Sequence, residues 1–208
     1  MNKVIIGYAD ISQLTEADAR ARAAEVSEYR RRDILKQKTR KGAVQSFGAG
    51  FLLETMLAEQ GISDREFLAA AGGKPYLNCN LFFNVSHSEN MVLCALSHSE
   101  IGCDVEKIRA VRQGALSRVF SPREREYIGS DPERFFRLWT IKESYIKYKG
   151  ASVLSLRADS VEINTDTEKP FIFGAPQTLI TGNLGDYVFA LCGDNIDAHS
   201  IAAYNLIF

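Results

Sequence analysis

An α+β fold with mainly antiparallel strands is predicted from two observations. Short alternating or apolar runs recur at residues 3–8, 81–85, 91–97, 101–107, 161–164, 187–192 and 200–206, and each reads as a strand. Helical stretches with recognisable caps precede the strands in each half of the chain, around residues 15–60 and 121–150. Met91-Val92-Leu93-Cys94-Ala95-Leu96 and Tyr187-Val188-Phe189-Ala190-Leu191-Cys192 are also alike, and this echo is consistent with two similar halves.

The elements follow in order. After the first strand, Thr15 with Asp18 opens a charge-rich helical stretch carrying Arg30, Arg31, Arg32, Lys36, Lys38, Arg40 and Lys41. This basic run is either a solvated helix face or one wall of a polyphosphate pocket. A second helix passes through Phe47, Phe51, Leu52 and Met56, with Gly48 and Gly50 allowing a close neighbour, and ends at Gly61. Ser63 with Glu66 predicts a capping box for a short helix stopping at Gly72-Gly73. Lys74-Pro75-Tyr76 then turns the chain into strands 81–85, 91–97 and 101–107, expected to form a three-stranded meander. Ser121-Pro122 with Glu124 caps the next helix, and Asp131-Pro132 opens a longer one closed by Gly150.

The 208 residues are 46% hydrophobic and 25% charged, enough to bury roughly 70% of the unfolded surface in one large domain or two small ones. Lys and Arg number 25 against 26 Asp and Glu, which argues against general nucleic-acid binding and leaves any anion site local. Cys79, Cys94, Cys103 and Cys192 show no Cys-x-x-Cys spacing, so free thiols and a cytoplasmic setting are expected. No stretch resembles a signal peptide or a membrane span.

Two acidic motifs carry the chemistry. In Ile101-Gly102-Cys103-Asp104-Val105-Glu106-Lys107, strand geometry sends both carboxylates from one face about 6.5 to 7 Å apart, within reach of one hard cation. In Trp139-Thr140-Ile141-Lys142-Glu143-Ser144-Tyr145-Ile146-Lys147, helical spacing stacks Trp139, Glu143 and Lys147 on one side. Singly, each motif reads as a solvated face with weak ion pairs. Together they offer three carboxylates and flanking lysines, which suit a magnesium-diphosphate site, because Mg²⁺ takes a few oxygen ligands and leaves the rest to water and phosphate. His98 and His199 have no partner at ligand spacing, and the row Phe135, Phe136, Trp139, Tyr145 and Tyr148 reads as core packing.

In sequence order, Gly73-Lys74-Pro75-Tyr76, Phe83-Asn84-Val85-Ser86-His87-Ser88, the acidic strand, Phe120-Ser121-Pro122 and Leu138 to Lys147 resemble the 4′-phosphopantetheinyl transferases of the surfactin-synthetase-activating type. The resemblance implies two similar α/β subdomains related by a pseudo-twofold, residues 1–100 on the nucleotide side of coenzyme A and 101–208 carrying the carboxylates. The site then lies between them. It implies transfer of the phosphopantetheine arm of coenzyme A to a serine of an apo acyl or peptidyl carrier protein, with release of 3′,5′-ADP. Asp104, Glu106 and Glu143 are the implied ligands of Mg²⁺, or of Mn²⁺. Glu143 is the implied base with Glu106 second, and Lys147 and Lys142 are the implied contacts to phosphate oxygens. Lys74 and Pro75 are expected at the adenine, and Ser86 and His87 at the 3′-phosphate. The family's arginine in the second helix falls at Gln45, so Arg40 or Lys41 is expected to substitute. Arg109, Arg112, Arg118 and Arg123 form a candidate patch for an acidic carrier, and a monomer without nucleic-acid or membrane partners is expected. The rival readings are a Mg²⁺-dependent phosphohydrolase acting on a small phosphoanhydride and a non-catalytic carrier-binding module.

Overall fold

The computed structural model describes residues 3–63, 66–70, 73–111, 113–151, 161–166, 171–172, 178–197 and 202–207, with backbone alone for 113–115, 171 and 202–207. Arg112 and His199 lie outside the described residues. Two sheets stack face to face, each backed by one long helix. The first has the order β11-β1-β5-β4, with β1 at Val4–Asp10, β4 at Phe82–Ser88, β5 at Met91–Ser97 and β11 at Ala202–Ile207. The second has the order β6-β10-β9, with β6 at Ile101–Lys107, β9 at Thr178–Leu184 and β10 at Tyr187–Gly193. Helix α3, Arg40–Glu59, lies on the first sheet, and α6, Pro132–Tyr148, on the second.

Side-chain alternation accounts for this layering. Ile5, Ala9, Val92, Cys94 and Leu96 pack with Leu52, Leu53 and Met56 of α3. The opposite faces of the same strands, Val4, Ile6, Leu93 and Ala95, pack with Ile101, Cys103, Val105 and Leu191 of the second sheet. Strands β1 and β5 are therefore buried on both faces, which is why they are nearly uninterrupted apolar runs. A third core joins α6 to Val188 and Ala190.

Two expectations need correction. The meander has two strands rather than three, because β5 already has β1 on one edge and β4 on the other, so β6 starts the second sheet. The expected helix after Ser63 is replaced, among its described residues, by β2 at Phe67–Ala69, which forms a hairpin with β3 at Pro75–Leu77. Phe67 reaches the first core, a contact that outweighs the local capping signal. The second sheet begins at residue 101, and β11 returns to run parallel to β1 in the first sheet.

Candidate functional site

Strand β6 and helix α6 meet at Gly102. A Cβ at that position would lie 2.0 Å from Ser144 O and 2.3 Å from Tyr148 N, so only glycine permits this approach. The close crossing sets Asp104, two residues along the same face, under the last turns of α6. Lys147 Nζ lies 2.7 Å from Asp104 Oδ1 and also donates to Ser86 Oγ at 3.0 Å. Ser86 Oγ donates to Asp104 Oδ1 at 2.7 Å, and Ser88 Oγ donates to Glu106 Oε2 at 2.6 Å.

Glu143 completes the cluster. Burial, reinforced by the negative charges of Asp104 and Glu106, pushes its carboxyl up to about 7, with Lys147 opposing. Burial likewise raises Glu106 above the usual carboxylate range, and Asp104 adds to it. Lys147 behaves oppositely: burial works against its ammonium, but Asp104 beside it holds the pKa above the ordinary lysine value. These shifts describe one shared field, in which three acids crowd around one cation.

Among the described residues, no group of three or more His, Cys, Asp and Glu side chains stands in an arrangement that could hold a metal ion. The donor set nevertheless fits a hard cation. Only two buried side-chain polar atoms among the described residues lack a hydrogen-bond partner, and one is Asp104 Oδ2. An unpartnered buried carboxylate oxygen is costly, and a cation offsets that cost.

The second unpartnered atom is Nε of Arg30, in α2 at Glu28–Lys36. Its side chain crosses α3 at Gly50, where a Cβ would stand 3.3 Å from the Arg30 stem. His87 is exposed on β4, yet desolvation by the protein around it, with Lys147 and then Arg30, holds its pKa below the ordinary value. Lys147 and Arg30 are thus the cations that act most on His87. Arg40 and Lys41 line a separate cavity of about 650 Å³ with Gln45 and Glu89. Lys41 pairs there with Glu89 at 2.7 Å, and Arg40 pairs with Glu16 at 3.6 Å. Gln45 donates to the Glu89 carbonyl at 2.9 Å. In the sequence Arg30 is one of seven cations in a basic run, and the glycine at position 50 is the signal that a helix or side chain crosses there.

Lys142 needs correction. Its side chain is fully buried, and Nζ donates to Glu124 Oε2 at 2.8 Å, Val119 O at 2.9 Å and Val161 O at 2.5 Å. It therefore ties α6 to the core of the second half, away from the carboxylates. Lys74 by contrast joins the site's border: Nζ reaches Glu100 Oε2 at 2.7 Å and Ile101 O at 3.1 Å, and with Pro75, Asn84, Val85 and Lys147 it lines a recess of about 210 Å³. On the other side Glu106, Arg109, Phe135, Phe136 and Trp139 line a cavity of about 610 Å³. Arg109 there bonds Glu106 at 3.0 Å and lies 4.8 Å over the Phe136 ring.

Residues 100–192, which hold all three carboxylates and Lys147, match the 4′-phosphopantetheinyl transferase superfamily. The matched stretch is a little under half of the chain. It is 41% identical over 85 residues to the 4′-phosphopantetheinyl transferase gsp of Aneurinibacillus migulanus, covering 38% of this chain and 35% of that protein. It is 35% identical over 108 residues to Sfp of Bacillus subtilis, covering 49% and 48%. A longer match, 28% identical over 183 residues, reaches the transferase AcpT of Salmonella typhi and covers 66% of this chain and 95% of that protein. The chain thus spans between about a third and a half of the length of the gsp and Sfp relatives. Among the described residues, no helix is long and apolar enough to cross a membrane.

Proposed function

We propose that the protein transfers the 4′-phosphopantetheine arm of coenzyme A to a serine hydroxyl of an apo acyl or peptidyl carrier protein in a Mg²⁺-dependent reaction that releases 3′,5′-ADP. The observation carrying this reading is that the only two unpartnered buried polar atoms among the described residues, Asp104 Oδ2 and Arg30 Nε, belong to side chains suited to a cation and to a phosphate. The reading takes the two sheet-and-helix halves as pseudo-twofold related, with coenzyme A between them.

Asp104, Glu106 and Glu143 would hold Mg²⁺, which when bound neutralises the diphosphate. Lys147, kept cationic by Asp104, adds positive charge where the leaving diphosphate oxygen gains negative charge. Glu143, whose carboxyl is pushed up to about 7 in the metal-free protein, is the residue assigned to take the proton from the carrier serine. The serine Oγ forms a bond to the phosphorus next to the pantetheine, the bond from that phosphorus to the bridging oxygen breaks, and 3′,5′-ADP leaves with that oxygen. Incubation with coenzyme A, Mg²⁺ and an apo carrier, followed by mass spectrometry of the carrier, tests the reading. The carrier should gain one phosphopantetheine. Hydrolysis of a phosphoanhydride with an unmodified carrier would instead support the phosphohydrolase reading.

Glu143→Gln is expected to abolish most of the turnover while coenzyme A still binds. Its apo stability carries a second signature. With the native pKa near 7 and the ordinary value at 4.5, the folded state binds the extra proton between these limits, so wild-type stability falls as pH rises through that window. Metal-free melting curves across this range should show the decline in wild type and a flatter profile in Glu143→Gln.

The 3′-phosphate grip is assigned to Arg30 with His87, in place of the Arg40 or Lys41 expected from the sequence and without Ser86, whose hydroxyl is turned to Asp104. Arg30→Ala should weaken coenzyme A by roughly 1.5 to 3 kcal/mol, as for a charge-assisted hydrogen bond, and leave 3′-dephospho-coenzyme A nearly unchanged. Lys41→Ala should affect both ligands little. Calorimetry with the two ligands on both variants decides this, and the reverse pattern returns the role to Lys41.

A further inference from the structure

The facing edges of the two sheets are joined in an unusual way. Strands β4 and β6 belong to different sheets, yet they lie side by side and run in the same direction. In place of a backbone ladder, three buried side chains of β4 accept the edge amides of β6. Cys103 N donates to Asn84 Oδ1 at 2.8 Å, Val105 N to Ser86 Oγ at 3.4 Å and Lys107 N to Ser88 Oγ at 3.3 Å. The constant step of two residues makes this a ladder of side chains.

Each serine rung carries a second bond. A hydroxyl has one proton and two acceptor lone pairs. Because a lone pair takes the β6 amide, the proton is left for the neighbouring carboxylate: Ser86 to Asp104 at 2.7 Å and Ser88 to Glu106 at 2.6 Å. The same two-bond unit thus occurs twice, two residues apart, each time fixing one acid. At Glu106 this bond has a competitor, since Arg109 Nη1 donates to the same Oε2 at 3.0 Å from the exposed side. At Asp104 the bond leaves Oδ2 as the oxygen without a partner.

We propose that Ser88 and Ser86 are positioning residues, locking Glu106 and Asp104 in the rotamers that face the cation through the hydroxyl ladder that also joins the two sheets. The inference rests on the reading of these acids as cation ligands. Removing the Ser88 hydroxyl leaves Glu106 to Arg109 and leaves the Lys107 amide without its acceptor.

The test is Mn²⁺ binding followed by electron paramagnetic resonance, with coenzyme A present. Ser88→Ala should bind Mn²⁺ about tenfold more weakly, the loss typical when a partner of a metal ligand is removed. Ser88→Thr, which restores the hydroxyl, should recover most of the affinity, and circular dichroism should show all three proteins folded. If Ser88→Ala does not fold, Ser88→Cys, similar in size but a weak donor, takes its place in the comparison. Unchanged Mn²⁺ affinity with only a lower melting temperature overturns the inference and leaves the carboxylate site standing. A wild-type protein that holds no Mn²⁺ overturns both.

Discussion

Replacement of Asp104 by alanine is expected to lower transfer by roughly a thousandfold or more, in line with the several kcal/mol that a bound cation contributes to charge neutralisation. The fold should survive. Two opposing effects set its stability: Glu143 and Glu106 lose a repulsive neighbour, while Lys147 loses its 2.7 Å partner. Because Glu143 also raises the Lys147 pKa, it remains as an alternative counter-ion, and the net change should stay below about 2 kcal/mol. Mass spectrometry of the carrier with a melting curve of the variant checks both parts. Transfer at the wild-type rate with ordinary Mg²⁺ would remove Asp104, and with it the proposed metal site, from the mechanism.

Why the acidic cluster is legible in the sequence, and the proposed Arg30–His87 grip is not, follows from the range of the signals. Asp104 and Glu106 are related by strand periodicity, and Glu143 and Lys147 by helix periodicity, so each pair is set by local geometry. Gly102 marks where the two elements touch, but a glycine does not name its neighbour. The Arg30–His87 arrangement depends on how α2 crosses α3, and Gly50 marks the crossing without naming the side chain that fills it. The same limit explains the missed sheet change, since the ends of β5 and β6 read as a hairpin and only the occupied edges of β5 exclude it. In the stretch after Ser63 a local capping pattern pointed to a helix, whereas Phe67 packs as part of a strand against the first core.

Lys142 is where family resemblance and packing part, and it should give the largest stability effect. Both it and Glu124 have fully buried side chains. The Glu124 carboxylate also accepts Ser121 N at 2.8 Å and Ile163 N at 2.9 Å, so the pair fastens the cap of α5, Pro122–Ile128, and the strand at Ile163–Asn164 to α6. Burial alone pulls the Lys142 pKa below the ordinary value, and the bond to Glu124 opposes it. Lys142→Ala leaves a buried carboxylate with its cation gone, a change that costs about 3 to 5 kcal/mol. At about 2 to 4 °C per kcal/mol for a chain of this size, the melting temperature should fall by roughly 10 °C. Lys142→Met combined with Glu124→Gln should recover part of the loss, because it removes both charges and keeps an acceptor for one of the two amides. Coenzyme A affinity, measured where every variant is folded, should not change. If Lys142→Ala instead keeps its melting temperature and loses coenzyme A, the lysine leaves its buried partner to hold a phosphate, and the role implied by the family resemblance stands.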